Sequence, residues 1–250
     1  MFRTGGETFK IGRIIHVDLG VGIMETIRQD EEILKVSSLG KSYSGGKIPV
    51  LKNIGFSVKK GEFIIVHGES GSGKSTLLHL LAGLENADRG EIDLAGTDIC
   101  KLSESGRAMF RRKNVGFVFQ QFHLLPELTA LENVMMPLLI QKAPIKKARE
   151  QAEQLLLYVG LEDRMKHTPE QLSGGQNQRV AVARALVAAP AVIFADEPTG
   201  NLDSKNRTEV LELLQQINRE QGATLLMVTH SAGERSIADR VIELKDGVII

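Results

Sequence analysis

The sequence is poor in the residue types that define several common classes of protein. It has no Trp, two Tyr and a single cysteine, Cys100, and its 31 Lys plus Arg are balanced by 31 Asp plus Glu. One cysteine excludes an internal disulfide and a cysteine-rich metal site, which is typical of a chain in a reducing compartment. The lack of a basic excess argues against a nucleic-acid partner.

Long apolar runs are lacking as well. The longest apolar stretch, 180–195, contains Arg184 and Pro190 and falls short of the roughly 20 residues that a membrane-spanning helix needs. Aliphatic residues are plentiful, because 42% of the chain is hydrophobic although only 4% is aromatic. A chain of 250 residues therefore has enough material for one large domain, or for a domain with an inserted lobe.

Short β-rich runs alternate with helical patterns, which predicts an α/β fold with a mainly parallel sheet. The predicted strands are 33–39, 63–67, 115–119, 191–196, 224–230 and 241–244, and the clearest helices are 146–160 and 208–222. The helical stretch at about 120–175 interrupts the alternation and is interpreted as an inserted lobe of a domain at 33–250.

Residues 1–32 are either a genuine extension or partly upstream of a true start at Met24. The intact mass of the protein made from its native gene would decide between these alternatives.

Residues 68–76 read GESGSGKST and fit the pattern G-x-x-x-x-G-K-[ST] between a strand and a helix. The glycines let backbone N–H groups converge on phosphate oxygens, and the helix N-terminus favours negative charge. Lys74 is expected to reach the β- and γ-phosphates, and Ser75 to bind Mg²⁺. An incidental glycine-rich turn is the alternative, and the flanking elements argue against it. The predicted nucleotide-binding residues here are Gly68, Glu69, Ser70, Gly71, Ser72, Gly73, Lys74, Ser75 and Thr76.

The stretch AVIFADEP at 191–198 is an apolar strand that ends in two carboxylates. Ligands of open α/β sheets bind at the carboxyl ends of the strands. Asp196 is therefore expected to hold Mg²⁺, and Glu197 to polarise an attacking water. Adjacent acids at a strand end can also form a solvated helix cap. The alternative enzyme class is a kinase, which would need a site for a second substrate. Because no site for a second substrate is evident, hydrolysis is the better interpretation.

Residues 172–176 read LSGGQ, and together with GESGSGKST, ADEPTGNLD and VTH, in this order, they resemble the ATP-binding subunit of ABC transporters. The resemblance runs from about residue 33 to the C-terminus and rests on four motifs. It implies a P-loop NTPase core with an N-terminal antiparallel β region and an inserted helical lobe. It also implies ATP as substrate, with Mg²⁺.

In that family the signature loop binds the γ-phosphate held by the P-loop of a second subunit, which implies a head-to-tail homodimer around two ATP molecules. The corresponding residues are Ser173, Gly174, Gly175 and Gln176. Their glycines expose backbone donors, and the helix expected to begin near Asn177 adds its positive end.

The resemblance assigns four further residues one at a time. Gln120 matches the glutamine that senses Mg²⁺ and water, with Gln121 as its neighbouring alternative. Asp203 matches the loop that crosses the dimer interface, and His230 the histidine that contacts the γ-phosphate. Tyr43 fits the aromatic residue that stacks on adenine, or else it is a sheet-edge residue. The other histidines, at 16, 67, 79, 123 and 167, are interpreted as structural or surface residues, and Asn177 and Ser231 depart from the commonest pattern without touching an assigned role.

The stretches 116–140 and 195–204 look closest to the lipoprotein-release and macrolide-export branch, which implies a separate membrane permease and a position at the cytoplasmic face of the cell membrane. The permease, not this chain, would select the substrate. Residues that either line the permease contact or belong to the lobe core are Leu124, Leu125, Pro126, Leu138 and Leu139. A soluble ABC ATPase acting on DNA or ribosomes is the alternative. It is less favoured because only about a hundred positions separate Gly68 from Leu172, without a heptad run.

Overall fold

The structure, a computed structural model, describes residues 31–250. The proposed start at Met24, and nearly all of the extension 1–32, lie outside the described residues. The strands are β1 Glu32–Tyr43, β2 Ile48–Lys59, β3 Phe63–His67, β4 Arg89–Leu94, β5 Thr97–Asp98, β6 Val115–Val118, β7 Val192–Asp196, β8 Leu225–Thr229, β9 Arg240–Lys245 and β10 Val248–Ile249. The α-helices are α1 Lys74–Leu81, α2 Glu104–Asn114, α3 Ala130–Ile140, α4 Ile145–Tyr158, α5 Gly174–Leu186 and α6 Ser204–Gln221.

The larger sheet is six-stranded in the order β10-β9-β3-β8-β7-β6. Its strands run parallel except β10, which is antiparallel to β9. The smaller sheet is antiparallel in the order β2-β1-β4-β5. The predicted α/β fold with a mainly parallel sheet and an N-terminal antiparallel region is therefore confirmed.

Three of the predicted elements are longer in the structure than in the sequence pattern, and the strand predicted at 241–244 gains only one residue at each end. β1 spans Glu32–Tyr43 instead of 33–39 because it pairs with β2 on one side and β4 on the other, through several register shifts. Its irregular pairing hides the period-two alternation that marks a strand in a sequence. The helix predicted at 208–222 begins at Ser204, because Asp203 caps it and Gly222 ends it in a left-handed conformation.

The central parallel strands are buried on both faces, which is why they read as continuous apolar runs. In β3, Phe63 and Ile65 pack into a cluster with residues of α3, α4, α5 and α6. Ile64 and Val66, which alternate with them, pack on the opposite face against α1 and the antiparallel sheet. The parallel sheet therefore lies between a helical layer and a mixed layer, and its strand ends are held in fixed relative positions.

Helices α3 and α4 pack against each other and against α5, while α5 also contacts β6. Since α5 belongs to both groups, the exact limits of a lobe at about 120–175 stay a prediction. Leu138 is buried in the common core, and Leu124 and Leu139 pack partly against it. Leu125 and Pro126, in contrast, are exposed. Within residues 31–250, no helix combines the length and apolar character needed to cross a membrane.

Candidate nucleotide site

Four neighbouring parallel strands end at one edge of the large sheet, and each leads directly into a predicted site segment. β3 leads into the loop that starts at Gly68, β7 ends at Asp196, β8 is followed by His230, and β6 is followed closely by Gln120. Because the order is β3-β8-β7-β6, residues far apart in the sequence become neighbours. This edge is where ligands of open α/β sheets bind.

The glycine-rich loop places its lysine inside its own curve. Gly73 precedes α1 with φ of 102°, a left-handed conformation that strongly favours glycine. Lys74 is only 5% exposed, and its Nζ donates to the carbonyl oxygens of Gly68 at 2.9 Å and Glu69 at 2.8 Å. The ammonium is thereby fixed at the N-terminus of α1, where the helix dipole favours an anion.

Ser75 and Asp196 form an oxygen pair beside that loop. The Ser75 hydroxyl donates to Asp196 Oδ1 at 3.0 Å. Burial raises the pKa of the Asp196 carboxyl, and the charge of Glu197 acts in the same direction, while the Ser75 hydrogen bond opposes them. Hydroxyl and carboxylate oxygens suit Mg²⁺, which is usually held by few protein ligands together with waters and substrate phosphates. Among residues 31–250, no group of three or more His, Cys, Asp and Glu side chains is arranged to hold a metal ion.

Glu197 and His230 are joined by a contact between Oε1 and Nδ1 at 3.0 Å. Glu197 has φ of 42°, which is uncommon for a residue other than glycine and turns the chain sharply at the end of β7. The His230 side chain is 60% exposed and that of Glu197 is 21% exposed. Both line a polar cavity of about 170 Å³ that also includes Thr199 and Glu234. A carboxylate beside an imidazole, open to solvent, can orient and deprotonate a water.

Gln120 lies in the loop after β6 and is engaged with the loop that follows Glu197. Its Nε2 donates to Asn201 Oδ1 at 3.3 Å, and Asn201 Nδ2 donates back to the Gln120 carbonyl at 3.3 Å. Helix α5 holds the same loop, because Gln178 donates to the Phe119 carbonyl at 3.4 Å. The neighbouring Gln121 is exposed.

The signature segment forms the first turn of α5, which begins at Gly174 and not near Asn177 as expected. Ser173 caps the helix by accepting from the backbone N–H of Gln176 at 3.3 Å, and the Gln176 side chain accepts from Ser173 N–H at 2.9 Å. This capping box needs only local residues, and it moves the helix start forward. Asn177 is buried, and its amide donates to the Pro169 carbonyl at 2.9 Å, which fixes the turn ahead of the signature.

Asp203 caps α6, so that a second helix N-terminus lies beside the first. Asp203 accepts from the Asn206 backbone at 3.0 Å and from its side-chain amide at 2.6 Å, and these bonds lower the pKa of the Asp203 carboxyl. Gly175 packs so closely against the Asn206 side chain that a Cβ at this position would overlap it. Asn206 therefore connects the signature residue Gly175 with Asp203 within one chain.

Tyr43 is the last residue of β1, and a line of polar contacts connects it to Asp196. Its hydroxyl donates to Glu85 Oε2 at 2.6 Å, and burial, followed by Glu85, raises the pKa of the Tyr43 phenol. Glu85 Oε1 lies 3.6 Å from His79 Nδ1, and His79 Nε2 lies 3.7 Å from Asp196 Oδ2. Sequence reasoning missed His79, although its position one turn after Ser75 on α1 placed it on the same helix face.

His67 is a second histidine that sequence reasoning did not connect with the site. Its Nε2 lies 3.2 Å from the His230 carbonyl, while Nδ1 lies 3.0 Å from Glu243 Oε2 and 2.8 Å from Arg235 Nη2. The parallel pairing of β3 with β9 brings His67 opposite Glu243. The P-loop strand is thus tied to the segment that follows His230.

A glycine-rich loop between a parallel strand and a helix, facing a hydroxyl–carboxylate pair at the end of a nearby strand, defines a P-loop nucleoside triphosphatase. Comparison with known families shows which family of P-loop nucleoside triphosphatases contains this chain. The family model described as ABC transporter matches residues 51–200, more than half of the chain, and the chain belongs to this family. The predictions of the family and of its ATPase activity in a transporter are thus confirmed.

Similar curated proteins include an ABC transporter ATP-binding protein of Methanocaldococcus jannaschii, MJ1508, at 48% identity over 87% of this chain and 98% of that protein. The lipoprotein-releasing system ATP-binding protein LolD of Xanthomonas oryzae is 47% identical over 90% of this chain and 93% of its own. Among solved structures, the ATP-binding cassette MJ0796, described as a dimer in a post-hydrolysis state bound to ADP and phosphate, is 41% identical. It superimposes with a TM-score of 0.79 over 86% of this chain and 96% of that chain.

Proposed function

We propose that this chain is the ATPase subunit of a lipoprotein-release or export transporter, and that it hydrolyses MgATP between two copies bound to a membrane permease. The observation that carries the proposal is the placement of three groups at one sheet edge. These are the buried Lys74 ammonium, the Ser75–Asp196 oxygen pair and the Glu197–His230 pair.

In this proposal the phosphates of ATP enter the glycine-rich loop. The Lys74 ammonium then donates to the phosphates instead of to the carbonyl oxygens of Gly68 and Glu69. Ser75, Asp196 and Gln120 would hold Mg²⁺, which neutralises phosphate charge when bound. Glu197 orients the attacking water in line with the γ-phosphate, and His230 fixes the position of that carboxylate. Tyr43 stacks on adenine. Hydrolysis of this kind depends on positioning and charge stabilisation more than on covalent chemistry by the protein.

The signature segment completes the site from the second copy. Ser173, Gly174 and Gly175 lie at the N-terminus of α5, which carries no acidic residue in its first turn, so this end of the helix attracts a γ-phosphate. Asp203 lies beside it and crosses the same interface. A related cassette described as dimeric supports a homodimer for this chain. A two-fold, head-to-tail arrangement would bury two ATP molecules.

The transport branch is inferred from the relatives. A chain at 47% identity is named as the ATP-binding protein of a lipoprotein-releasing system, which supports the same branch here. Leu125 and Pro126, exposed in the segment between Gln120 and α3, are the candidates for the permease contact. Such a subunit would lie at the cytoplasmic face of the membrane. No observation on the described residues favours the soluble alternative that acts on DNA or ribosomes.

The catalytic part of the proposal is tested with Glu197→Gln. The amide keeps the shape of the side chain but is not a base, so we expect this variant to bind ATP without turning it over and to accumulate as a closed dimer. Size exclusion with and without MgATP gives the oligomeric state, with the exposed Glu162→Gln as control. A Glu197→Gln chain that stays monomeric with ATP would contradict either the dimer or the role of Glu197.

The transport part is tested by affinity purification of the chain from detergent-solubilised membranes of the native host, followed by mass spectrometry. We expect a polytopic membrane protein to co-purify, and Leu125→Asp to reduce its recovery while ATPase activity is retained. Recovery only from the soluble fraction, with ribosomal or DNA-processing proteins, would move the chain to the alternative class.

A further inference from the structure

Glu234 is a buried carboxylate to which the proposed mechanism assigns no role. It lies in a short 3₁₀ helix, Ala232–Ile237, which begins just after His230. Glu234 is 3% exposed, although it lines the same cavity as Glu197 and His230. Burying a charged group is unfavourable unless a hydrogen bond or an opposite charge compensates for it. An interaction that compensates for the burial of the Glu234 carboxylate is therefore expected.

One oxygen of this carboxylate has a strong partner and the other has none among the described residues. The Thr199 hydroxyl donates to Glu234 Oε1 at 2.7 Å, and Thr199 is itself 3% exposed. Glu234 Oε2 is buried without a hydrogen bond to any part of residues 31–250. The neighbouring guanidinium of Arg235 is paired with Glu243 at 2.8 Å instead. The Thr199 hydroxyl is thus the hydrogen-bond partner of the Glu234 carboxylate, while Arg207 is the cation that lines the same cavity.

Thr199 lies in the loop that carries the other site residues. Its carbonyl accepts from Leu202 N–H at 3.1 Å, and the Glu197 carbonyl accepts from Gly200 N–H at 3.0 Å, so that the loop is a pair of tight turns. Asn201 of the same loop bonds Gln120. The loop therefore runs from Glu197 to Asp203, with Thr199 near its centre.

We propose that Glu234 is a positioning residue for ATP hydrolysis, which through Thr199 ties the segment that follows His230 to the loop that carries Glu197 and Asp203. The inference rests on the proposed function of these residues. It adds a reason why Glu197 and His230, which directly follow the different strands β7 and β8, keep one relative geometry although His230 is largely exposed. A misplacement of about 1 Å at a reacting group can reduce a rate by about 10²-fold.

The test compares single and paired replacements of the two partners. Thr199→Val and Glu234→Ala each leave a buried group unpaired, whereas Thr199→Val combined with Glu234→Met replaces both by apolar groups of similar shape, which is nearly neutral for folding. Glu234→Gln retains an oxygen that accepts from Thr199. The exposed Glu212→Ala on α6 is the matched control. The readouts are kcat and KM for ATP hydrolysis, the affinity for a fluorescent ATP analogue, and thermal unfolding.

We expect the double variant to stay folded and to bind the analogue within about twofold of the parent chain, while kcat falls about 10- to 100-fold. Glu234→Gln should keep kcat within about threefold, because it preserves the hydrogen bond. A parent-like kcat in the double variant, or a kcat in Glu234→Gln as low as in the double variant, would overturn the inference. An equal loss of nucleotide affinity and kcat would also overturn it, since it would indicate a general structural role.

Lys74→Ala in the same assay separates this inference from the proposed function. Turnover that survives Lys74→Ala would refute the assigned ATP site whatever the Glu234 variants do. Turnover that is lost in Lys74→Ala and unchanged in the double variant would refute the role of Glu234 alone.

Discussion

Two helices of this chain begin at glycine-containing motifs, α1 after the loop that ends at Gly73 and α5 with Gly174 and Gly175 in its own first turn. The first turns of the two helices are stabilised in different ways. Across the described chain, no side chain caps α1. Its lysine is instead held by loop carbonyls, beside two carboxylates at the same sheet edge. The first turn of α5 is closed by the capping box of Ser173 and Gln176. Both helix N-termini favour anions.

The difference indicates how each loop meets a phosphate. The first loop leaves backbone N–H groups of α1 for a ligand and presents Lys74 as counter-charge, so it can bind phosphate by itself. The capping box of the signature turn forms without a ligand, and the turn offers a hydroxyl and a helix end, with no cation of its own. It therefore contributes to a phosphate that another loop already holds. Within this chain it packs against Asn206 of α6, which places it and Asp203 on one common surface.

The largest expected effect comes from removing the positive charge of the first loop. Lys74→Ala should lower ATP turnover by about 10²–10³-fold, the usual effect of removing one strong charge-stabilising donor. A phosphate-release assay measures this, with the exposed Lys147→Ala as control. Near-normal turnover would refute the role of Lys74 and remove the basis of the comparison.

The comparison is sharpened by mixing two inactive chains. Ser173→Glu, which places a negative charge where a γ-phosphate is expected, should also abolish turnover. If the two loops act on the same ATP from different copies, Lys74→Ala mixed with Ser173→Glu restores one intact site in each mixed dimer, and about a quarter of the parent's sites overall. No recovery, in a mixture that size exclusion and labelled chains show to contain mixed dimers, would indicate that both loops act within one copy.

The parts of the site that could be predicted from sequence are those defined by contiguous residues. The glycine-rich loop and the acidic end of β7 each follow an apolar strand, and one short window contains everything that fixes their geometry. Asp203 was assigned from the resemblance to the loop that crosses the interface. Its capping of α6, and the start of that helix at Ser204, were not predicted. Sheet class followed from the alternation of strands and helices.

The contacts that sequence reasoning missed join residues from different strands. His67 meets Glu243 and Arg235, more than 160 positions away along the chain, because β3 lies between β8 and β9. Thr199 and Glu234 meet because β7 and β8 are neighbours. Strand order depends on the packing of the whole sheet, and a single histidine or glutamate has no local signature for it. Register shifts along β1 concealed its full length for a similar reason.

The smallest expected effects concern stability, and they have opposite signs in the two regions. The pKa of Asp196 is raised in the folded chain, chiefly by burial. The folded state therefore binds more protons than the unfolded state between the two pKa values, and stability decreases as the pH rises through the folded-state pKa. Asp196→Asn removes this penalty, so without nucleotide or Mg²⁺ it should unfold at a higher temperature than the parent at pH 8. The difference should shrink toward pH 4, and ATP turnover should be lost at any pH.

Ser173→Ala, in contrast, removes a helix cap and should reduce stability by about 0.5–2 kcal/mol at either pH. A change on the order of 1 kcal/mol corresponds to about 2–4 °C in a chain of this size, which differential scanning calorimetry resolves, with the exposed Asp163→Asn as control. A destabilised Asp196→Asn at pH 8 would contradict the burial penalty. A Ser173→Ala chain as stable as the parent would mean that the capping box does not hold the signature turn. The comparison of the two loops therefore requires that Asp196→Asn stabilises the free chain and that Ser173→Ala destabilises it. Asp196 is buried for a ligand that the free chain does not hold, whereas Ser173 already caps α5 without a ligand.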